Sequence, residues 1–172
     1  MKVRPILLIV LLAACAGCNN SAPVTPPDTS AQDQTDIKAI EDGFAAAFKA
    51  KDVNAIMAYY VPDQTMIAFD MITPLQYAGA DAYRKDWETF FAMNPGPSDF
   101  SVSGLDITVG GNVAFSHSIQ SGFVTDKKGK KTNLTVRVTD GYKKVNGHWL
   151  IAHEHVSVPV DPVTMKGVLN AK

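Results

Sequence analysis

The sequence predicts an α+β domain in which N-terminal helices pack against an antiparallel sheet. Three observations predict it. Apolar residues recur at helical spacing in three segments of the first half of the chain. In the second half they alternate at a period of two, as in strands. Asn146-Gly147 is the favoured two-residue turn between antiparallel strands, and helices followed by such strands are typical of the α+β class.

Residues 1–14 predict a secretory signal peptide, since two basic residues precede an apolar stretch too short to span a bilayer. Leu12-Ala13-Ala14-Cys15 resembles the bacterial lipobox, which implies cleavage before Cys15 and diacylation of its sulfur. Cys18 is the alternative acceptor, and an ordinary signal peptide is the alternative to a lipoprotein. We expect a lipid-anchored protein of the cell envelope. By resemblance to the lipoprotein sorting rules of enteric bacteria, Ala16 after the cysteine favours the outer membrane, facing the periplasm.

The rest of the chain divides into three parts. Residues 15–34 are expected to be a lipidated cysteine and a disordered tether rich in Ser, Pro, Thr, Gln and Asp. The domain is expected at residues 35–162, followed by a C-terminal tail at 163–172. Both cysteines precede the domain, so no disulfide, thiol nucleophile or thiolate metal site is expected in it.

Composition excludes some classes of function. Hydrophobic residues make up 46% of the chain and charged residues 19%, which is typical of a globular protein. The formal net charge is -1, so nucleic acid is not an expected partner. The membrane is expected as a partner only through the lipid anchor.

Three helices are predicted in order. The first begins near Thr35 and carries Phe44 and Phe48 on its apolar face. The second is short and capped by Asp52, because Asp accepts hydrogen bonds from the first free N–H groups of a helix. Gly79 precedes the third, and Pro95-Gly96-Pro97 ends it.

The strands follow. Residues 65–70 predict a strand between the second and third helices. Residues 100–109 are followed by a turn at Gly110-Gly111-Asn112 and a long strand with Phe115 and Phe123 on one face. A lysine-rich turn at 126–131 leads into the last two strands, which the Asn146-Gly147 turn connects.

Three C-terminal motifs stand out: Arg137-Val138-Thr139, Asn146-Gly147-His148-Trp149 and the run from His153 to Pro159. They resemble the closing hairpin of SnoaL-like proteins, which share the ketosteroid isomerase-like and nuclear-transport-factor-like fold. The resemblance implies a cone-shaped fold, with N-terminal helices packed against a strongly curved antiparallel sheet. The three motifs are also similar to the association domain of calmodulin-dependent kinase, with its Arg-containing strand, Gly-x-Trp turn and His-x-His-x-Ser strand. The resemblance covers residues 35–162 and implies a homodimer through the sheet. It does not fix an activity, because this fold hosts isomerases, cyclases, dehydratases and binding proteins.

Asp70 is the candidate catalytic residue. By the same resemblance, a general-base aspartate of the steroid isomerases lies near this position, and an apolar pocket would raise the pKa of such a carboxyl. A solvated Asp at a strand end is the alternative. The isomerases also use a tyrosine with a protonated acid. Tyr59 or Tyr60 are candidates for the phenol and Asp106 or Asp140 for the acid, although none of these acids lies in a matching motif.

Six residues are the candidate ligand-binding pocket: Tyr59, Trp87, His117, Arg137, His153 and His155. The planar guanidinium of Arg137 is suited to bind a carboxylate or phosphate through two hydrogen bonds. A cross-strand ion pair is the alternative. His153 and His155 alternate in phase with Trp149 and Ile151. With His117 the pair is a conceivable zinc arrangement, but the resembled families carry such histidines without metal, so neither metal nor cofactor is expected. The alternative for Trp87 is a core position, which is the more common one for such an aromatic side chain.

Three hypotheses of function follow. The first is an envelope-anchored module that binds a small, partly apolar ligand containing a carbonyl or carboxylate. The second is a cofactor-free isomerase, cyclase or dehydratase that uses Asp70 or a pocket histidine as base. The third is a structural homodimeric module whose cavity is filled by Met57, Met71, Phe90 and Trp87.

Overall fold

The chain folds into three helices and one six-stranded sheet, and the α+β class is confirmed. The computed structural model describes residues 30–171. Its elements in chain order are α1 (Ser30–Ala50), α2 (Val53–Met57), β1 (Ile67–Phe69), β2 (Tyr77–Ala78), α3 (Ala80–Met93), β3 (Asp99–Gly110), β4 (Val113–Thr125), β5 (Lys131–Val145) and β6 (His148–Ser157).

Helix α1 begins at Ser30, so residues 30–34, predicted as part of the tether, are helical. A buried ion pair accounts for the earlier start. Asp33 is 2% exposed, and its Oδ1 lies 2.5 Å from Lys144 Nζ and accepts a hydrogen bond of 3.0 Å from Trp149 Nε1. These contacts fix the first turn of the helix against β5 and β6. The signal peptide and the lipobox lie outside the described residues.

The helices cover one face of the sheet, and their apolar sides form the core. Phe44 and Phe48 of α1 pack on Phe100 of β3 at centroid distances of 6.1 and 5.0 Å. Asp52 caps α2 as predicted, because its side chain accepts a hydrogen bond from the backbone N–H of Ala55. No helix within residues 30–171 is long and apolar enough to cross a membrane.

The strand order is β2-β1-β6-β5-β4-β3. All pairs are antiparallel except β1 with β6, so the sheet is mixed where the sequence predicted an antiparallel one. Parallel strands need a long connection, and here the chain between β1 and β6 contains β2, α3, β3, β4 and β5. The short strand β2 was not predicted.

Two features of the sheet affect the site. The β5–β6 register shifts by one residue between Gly141 and Tyr142, opposite Ala152. Gly122 of β4 lies so close to β3 that a Cβ there would stand 2.2 Å from the Asp99 carbonyl oxygen.

Part of the segment predicted as a C-terminal tail is paired to the fold. Val160 and Gly167 form a β-bridge, and the N–H of Thr135 in β5 donates to the carbonyl of Leu169 at 2.6 Å. Strand β6 ends opposite Arg137, so the tail meets β5 beyond the end of its neighbour.

Candidate functional site

A cavity of about 160 Å³ lies between the helices and the concave face of the sheet. Apolar side chains dominate its wall, and they come from α1, α3 and strands β3 to β6. The main contributors are Phe44, Phe48, Trp87, Phe90, Phe100, Leu134, Val136 and Val138. The carboxyl groups of Asp70, Asp86, Asp99 and Glu154 interrupt this apolar wall.

Glu154 of β6 lies deepest among these carboxyl groups. It is 6% exposed, and it accepts hydrogen bonds from the Tyr60 hydroxyl and, at 3.2 Å, from the Tyr83 hydroxyl. Burial raises the pKa of Glu154 from 4.5 to about 7, opposed by the hydrogen bond from Tyr60 and assisted by the charge of Asp70. Burial also raises the pKa of both tyrosines, so they remain hydrogen-bond donors. The cavity therefore contains an acid that exchanges its proton near neutral pH.

Asp70 and Asp86 form a second acidic group in the cavity wall. The two side chains are close enough for the charge of Asp86 to act on Asp70, and the Tyr77 hydroxyl donates to Asp86 at 2.6 Å. Burial raises the pKa of Asp70, the backbone N–H of Met71 lowers it, and the charge of Asp86 raises it further. A carboxyl group whose pKa burial and a neighbouring negative charge raise is suited to proton transfer.

A third acidic group lies behind Glu154. Asp140 is 4% exposed and lies beside Glu41, which accepts a hydrogen bond from the Tyr142 hydroxyl at 2.5 Å. Burial raises the pKa of Asp140 well above its usual range, and the charge of Glu154 raises it further. Within residues 30–171 the Asp140 Oδ1 atom has no hydrogen-bond partner. A hollow of about 10 Å³ touches Glu41, Asp140 and Glu154, and it shares Glu154 with the wall of the cavity.

The register shift in β5–β6 decides which side chains of β6 face the cavity. Trp149 and Ile151 point inward, and strict alternation would place His153 and His155 inward as well. Because Ala152 occupies an extra position at the bulge, Glu154 points inward instead. His153 and His155 therefore lie on the outer face, against the Phe69 ring at 4.9 and 5.8 Å.

Arg137 and His117 also lie on the outer face, and both are exposed. Arg137 alternates with Val136 and Val138, which line the cavity, and His117 alternates with the buried Ser116 and Ser118. Our expectation that these faces line the cavity does not match the structure. Phe69 and His155 share one row across the outer face with Thr139, His117 and Asp106.

The remaining predicted residues divide between the cavity and the core. Trp87 and Asp70 line the cavity. The indole N–H of Trp87 is buried and, among the described residues, has no hydrogen-bond partner. Tyr59 packs against Gly43 of α1 and is not in the cavity wall.

Sequence reasoning missed Glu154, Asp86 and Glu41. Helical spacing contained a signal for two of them. Asp86 falls on the apolar face of α3 with Tyr83 and Phe90, and Glu41 falls on the apolar face of α1. A carboxyl group inside an apolar stripe points to a functional or paired role. Glu154 gave no such signal, because the bulge is not visible in the sequence.

The described residues contain no group of three or more His, Cys, Asp or Glu side chains that is placed to hold a metal ion. Tyrosine hydroxyls donate to both oxygens of Glu154 and to Oδ1 of Asp86. The arrangement suits proton exchange and hydrogen bonding to a neutral ligand.

Comparison with protein families identifies one match over most of the domain. The profile of the SnoaL-like domain matches residues 37–161. No curated protein matches the chain at a significant level.

Solved structures with the same fold include several without an assigned function. An NTF2-like protein of unknown function from Pseudomonas putida KT2440 is 29% identical, with a TM-score of 0.75 over 83% of this chain and 98% of that one. A ketosteroid isomerase-like protein from Erwinia carotovora atroseptica SCRI1043 is 21% identical, with a TM-score of 0.62 over 72% and 93% of the two chains. A provisionally assigned calcium/calmodulin dependent protein kinase II association domain from Xanthomonas campestris is 22% identical, with a TM-score of 0.61 over 70% and 84%.

Proposed function

The chain belongs to the SnoaL-like domain family, and we propose that it binds a small, mostly apolar molecule carrying a carbonyl or hydroxyl group. One observation carries the proposal: an open apolar cavity ends at the buried Glu154 carboxyl, which two tyrosines hold in place. A concave apolar site with a few fixed polar groups is the usual form of a small-molecule site. The open volume also favours binding over a purely structural module, which predicts a filled cavity.

The charges of the wall favour a carbonyl or hydroxyl over a carboxylate. Four carboxyl groups line the cavity, and none of the described lining residues is Lys, Arg or His. An anionic ligand would meet like charge in a site of low dielectric constant, which costs several kcal/mol. A neutral ligand can accept from the Trp87 N–H or from protonated Glu154 and donate to ionised Glu154.

Native mass spectrometry tests the proposal on residues 16–172, purified from the source organism. This chain keeps every described element and omits the apolar segment. We expect a retained small molecule in the wild-type chain and its loss in Leu134→Trp, which fills the cavity. Arg137→Ala is the matched control, because it alters the neighbouring outer face of the same strand and should retain the molecule. An empty wild-type cavity, or equal retention by Leu134→Trp, would refute binding there.

The Asp70–Asp86 pair supports a second function, cofactor-free proton transfer of the isomerase or dehydratase type. Asp70 would remove a proton next to a carbonyl, and protonated Glu154 would stabilise the oxygen that becomes negative. A histidine base is not supported, since no histidine lines the cavity within the described part of the chain.

Deuterium exchange at the α-carbon of a small cyclic ketone, followed by NMR in D₂O, measures this activity directly. We expect exchange faster than in buffer, a loss of about 100-fold or more in Asp70→Asn, and no change in Asp106→Asn on the outer face. Exchange no faster than in buffer would remove the catalytic proposal and leave the binding proposal intact.

We also propose that the protein is a lipoprotein of the cell envelope, anchored through acylation of Cys15. The support is the lipobox-like sequence before Cys15. Cys15→Ser should release the protein from membranes, with Cys18→Ser as the matched control. Unchanged membrane fractionation of Cys15→Ser would refute lipidation at that residue.

The family resemblance further supports a homodimer through the outer face of the sheet. That face exposes Phe115, Ile119 and Phe69, which is unusual for a solvated surface. Sedimentation of residues 16–172 should show a dimer, and Phe115→Glu should convert it to a monomer. A wild-type monomer would refute the proposal.

A further inference from the structure

Three loops lie at the same end of the sheet as the opening of the cavity. Strand β1 runs parallel to β6, and β6 and β4 are both antiparallel to β5, so β1, β4 and β6 end on one side. The segments that follow them are residues 71–76, 126–131 and 159–166, which together we call the mouth rim. Met71 and Ile72 of the first segment, and Phe123 just before the second, line the cavity.

The mouth rim exposes large apolar side chains. Leu75 is 94% exposed, Val163 89%, Met165 76% and Ile72 49%. Each of these side chains extends from a loop and not from the sheet face that we propose for the dimer. Exposed apolar side chains gathered in loops at one end of a domain indicate an interaction surface.

The same rim is basic. Lys127, Lys128 and Lys130 are exposed at the β4–β5 turn, and Lys131 Nζ lies 3.6 Å from the centre of the Phe123 ring. The carboxylate of the acidic residue in this turn accepts hydrogen bonds from the backbone of the same turn. Asp126 accepts from the N–H groups of Lys128 and Lys130.

The third segment repeats this arrangement. Asp161 accepts from the N–H groups of Val163 and Thr164, and Lys166 is exposed nearby in sequence. The carboxylates therefore stabilise the turns, while the lysine and apolar side chains point outward.

We propose that the mouth rim docks on the surface of an anionic lipid bilayer, so that the cavity opens toward the membrane. Apolar side chains that insert at the interface, flanked by lysines that attract anionic headgroups, are the combination that peripheral membrane binding requires. The lysines complement the negative charge of such a surface, and Leu75, Val163 and Met165 supply the apolar contact. This docking goes beyond the lipid anchor and does not depend on the identity of the ligand.

The position of the proposed anchor is compatible with docking. Helix α1 begins at the opposite end of the domain, where Asp33 contacts Lys144 and Trp149 beside the β5–β6 turn. Residues 16–29 can span up to ~50 Å when extended. The 21 residues of α1 measure ~32 Å. An acyl chain on Cys15 and the mouth rim can therefore reach the same bilayer.

Vesicle co-sedimentation of residues 16–172 tests the docking without any acyl chain. The vesicles are phosphatidylcholine alone or phosphatidylcholine with phosphatidylglycerol. We expect binding to the mixed vesicles that weakens as salt is added, because the attraction is screened. Lys127→Ala/Lys128→Ala should weaken the partition coefficient about 30-fold, and Leu75→Ser about tenfold.

Two matched controls come from the opposite end of the same sheet. Lys143→Ala removes an exposed lysine of β5, and Val113→Ser removes an apolar side chain that is 58% exposed. Both should bind the mixed vesicles as the wild type does. Circular dichroism of each variant verifies that it is folded.

Several results would overturn the proposal. Wild-type protein that binds neither vesicle has no membrane-docking surface. Equal weakening by the rim and control variants would show that binding is not located at the rim. A Leu75→Ser variant that binds vesicles normally but changes oligomeric state without them would assign the rim to contact with a second copy of the chain.

Discussion

Replacing Glu154 by Gln should remove the part of the fall in stability between pH 4.5 and pH 7 that comes from ionisation of this carboxyl. Glu154 is buried between Tyr60 and Tyr83, and its protonated form is favoured in the folded state. The glutamine amide has nearly the same shape and keeps an acceptor oxygen for one tyrosine, but it cannot ionise. The substitution therefore isolates the titration from the packing.

The magnitude follows from the pKa of Glu154. A rise from 4.5 to about 7 corresponds to about 3 kcal/mol. Because the folded state holds the proton more tightly than the unfolded state, the free energy of unfolding is greatest below pH 4.5. It falls as pH rises toward 7, and it is lower by about 3 kcal/mol above that pH. Relief of repulsion on Asp140 adds to the effect of the substitution at high pH.

Urea denaturation of residues 16–172 at a series of pH values measures this difference. The fluorescence of Trp87 and Trp149, the two tryptophans of the chain, reports unfolding. The variant should match the wild type near pH 4.5 and exceed it by up to about 3 kcal/mol above pH 7.5. Glu88→Gln, an exposed change on α3, is the control and should preserve the wild-type profile.

Parallel pH profiles of the wild type and Glu154→Gln would refute the reasoning. They would show that Glu154 has the same proton affinity in the folded and unfolded chains. The buried carboxyl would then be ionised without penalty, and its role as a proton-exchanging group near neutral pH would have no basis.

Three further outcomes are expected. Gly122→Ala should lower the free energy of unfolding by about 2 kcal/mol, because the new Cβ would stand 2.2 Å from the Asp99 carbonyl oxygen; an unchanged urea midpoint would contradict this close approach. Arg137→Ala should leave both the thermal midpoint and ligand retention unchanged, as measured by calorimetry and native mass spectrometry. A loss of ligand would show that Arg137 contributes to binding. Lys144→Ala should cost about 2 kcal/mol because it removes the cation from the buried Asp33, and a variant as stable as the wild type in urea would show that this ion pair contributes nothing.

The sequence was sufficient to predict the fold, because its signals are local and repeated. The Asp52 cap, the Asn146-Gly147 turn and the helical stripe around Phe44 each specify a short stretch of backbone, and their order specifies the class. The parallel contact of β1 with β6 was not predictable, because it joins residues far apart in sequence.

The site was predicted only in part. Trp87 lies at the cavity because it belongs to the apolar face of α3, and Asp70 lies there because it directly follows β1. The histidines and Arg137 lie outside it. One extra residue in β6 reverses the alternation from Ala152 onward, and a strand of alternating polar and apolar residues does not reveal such a bulge.

The pairing of Thr135 with Leu169 has a consequence for the behaviour of the whole chain. Strand β5 extends past the end of β6, so the N–H and carbonyl groups of its first residues form a free sheet edge there. Free edges recruit strands from other molecules. The C-terminal segment occupies part of this edge and so limits self-association of the chain into extended sheets. Its removal would therefore first be visible as aggregation on storage, with little change in the cavity itself.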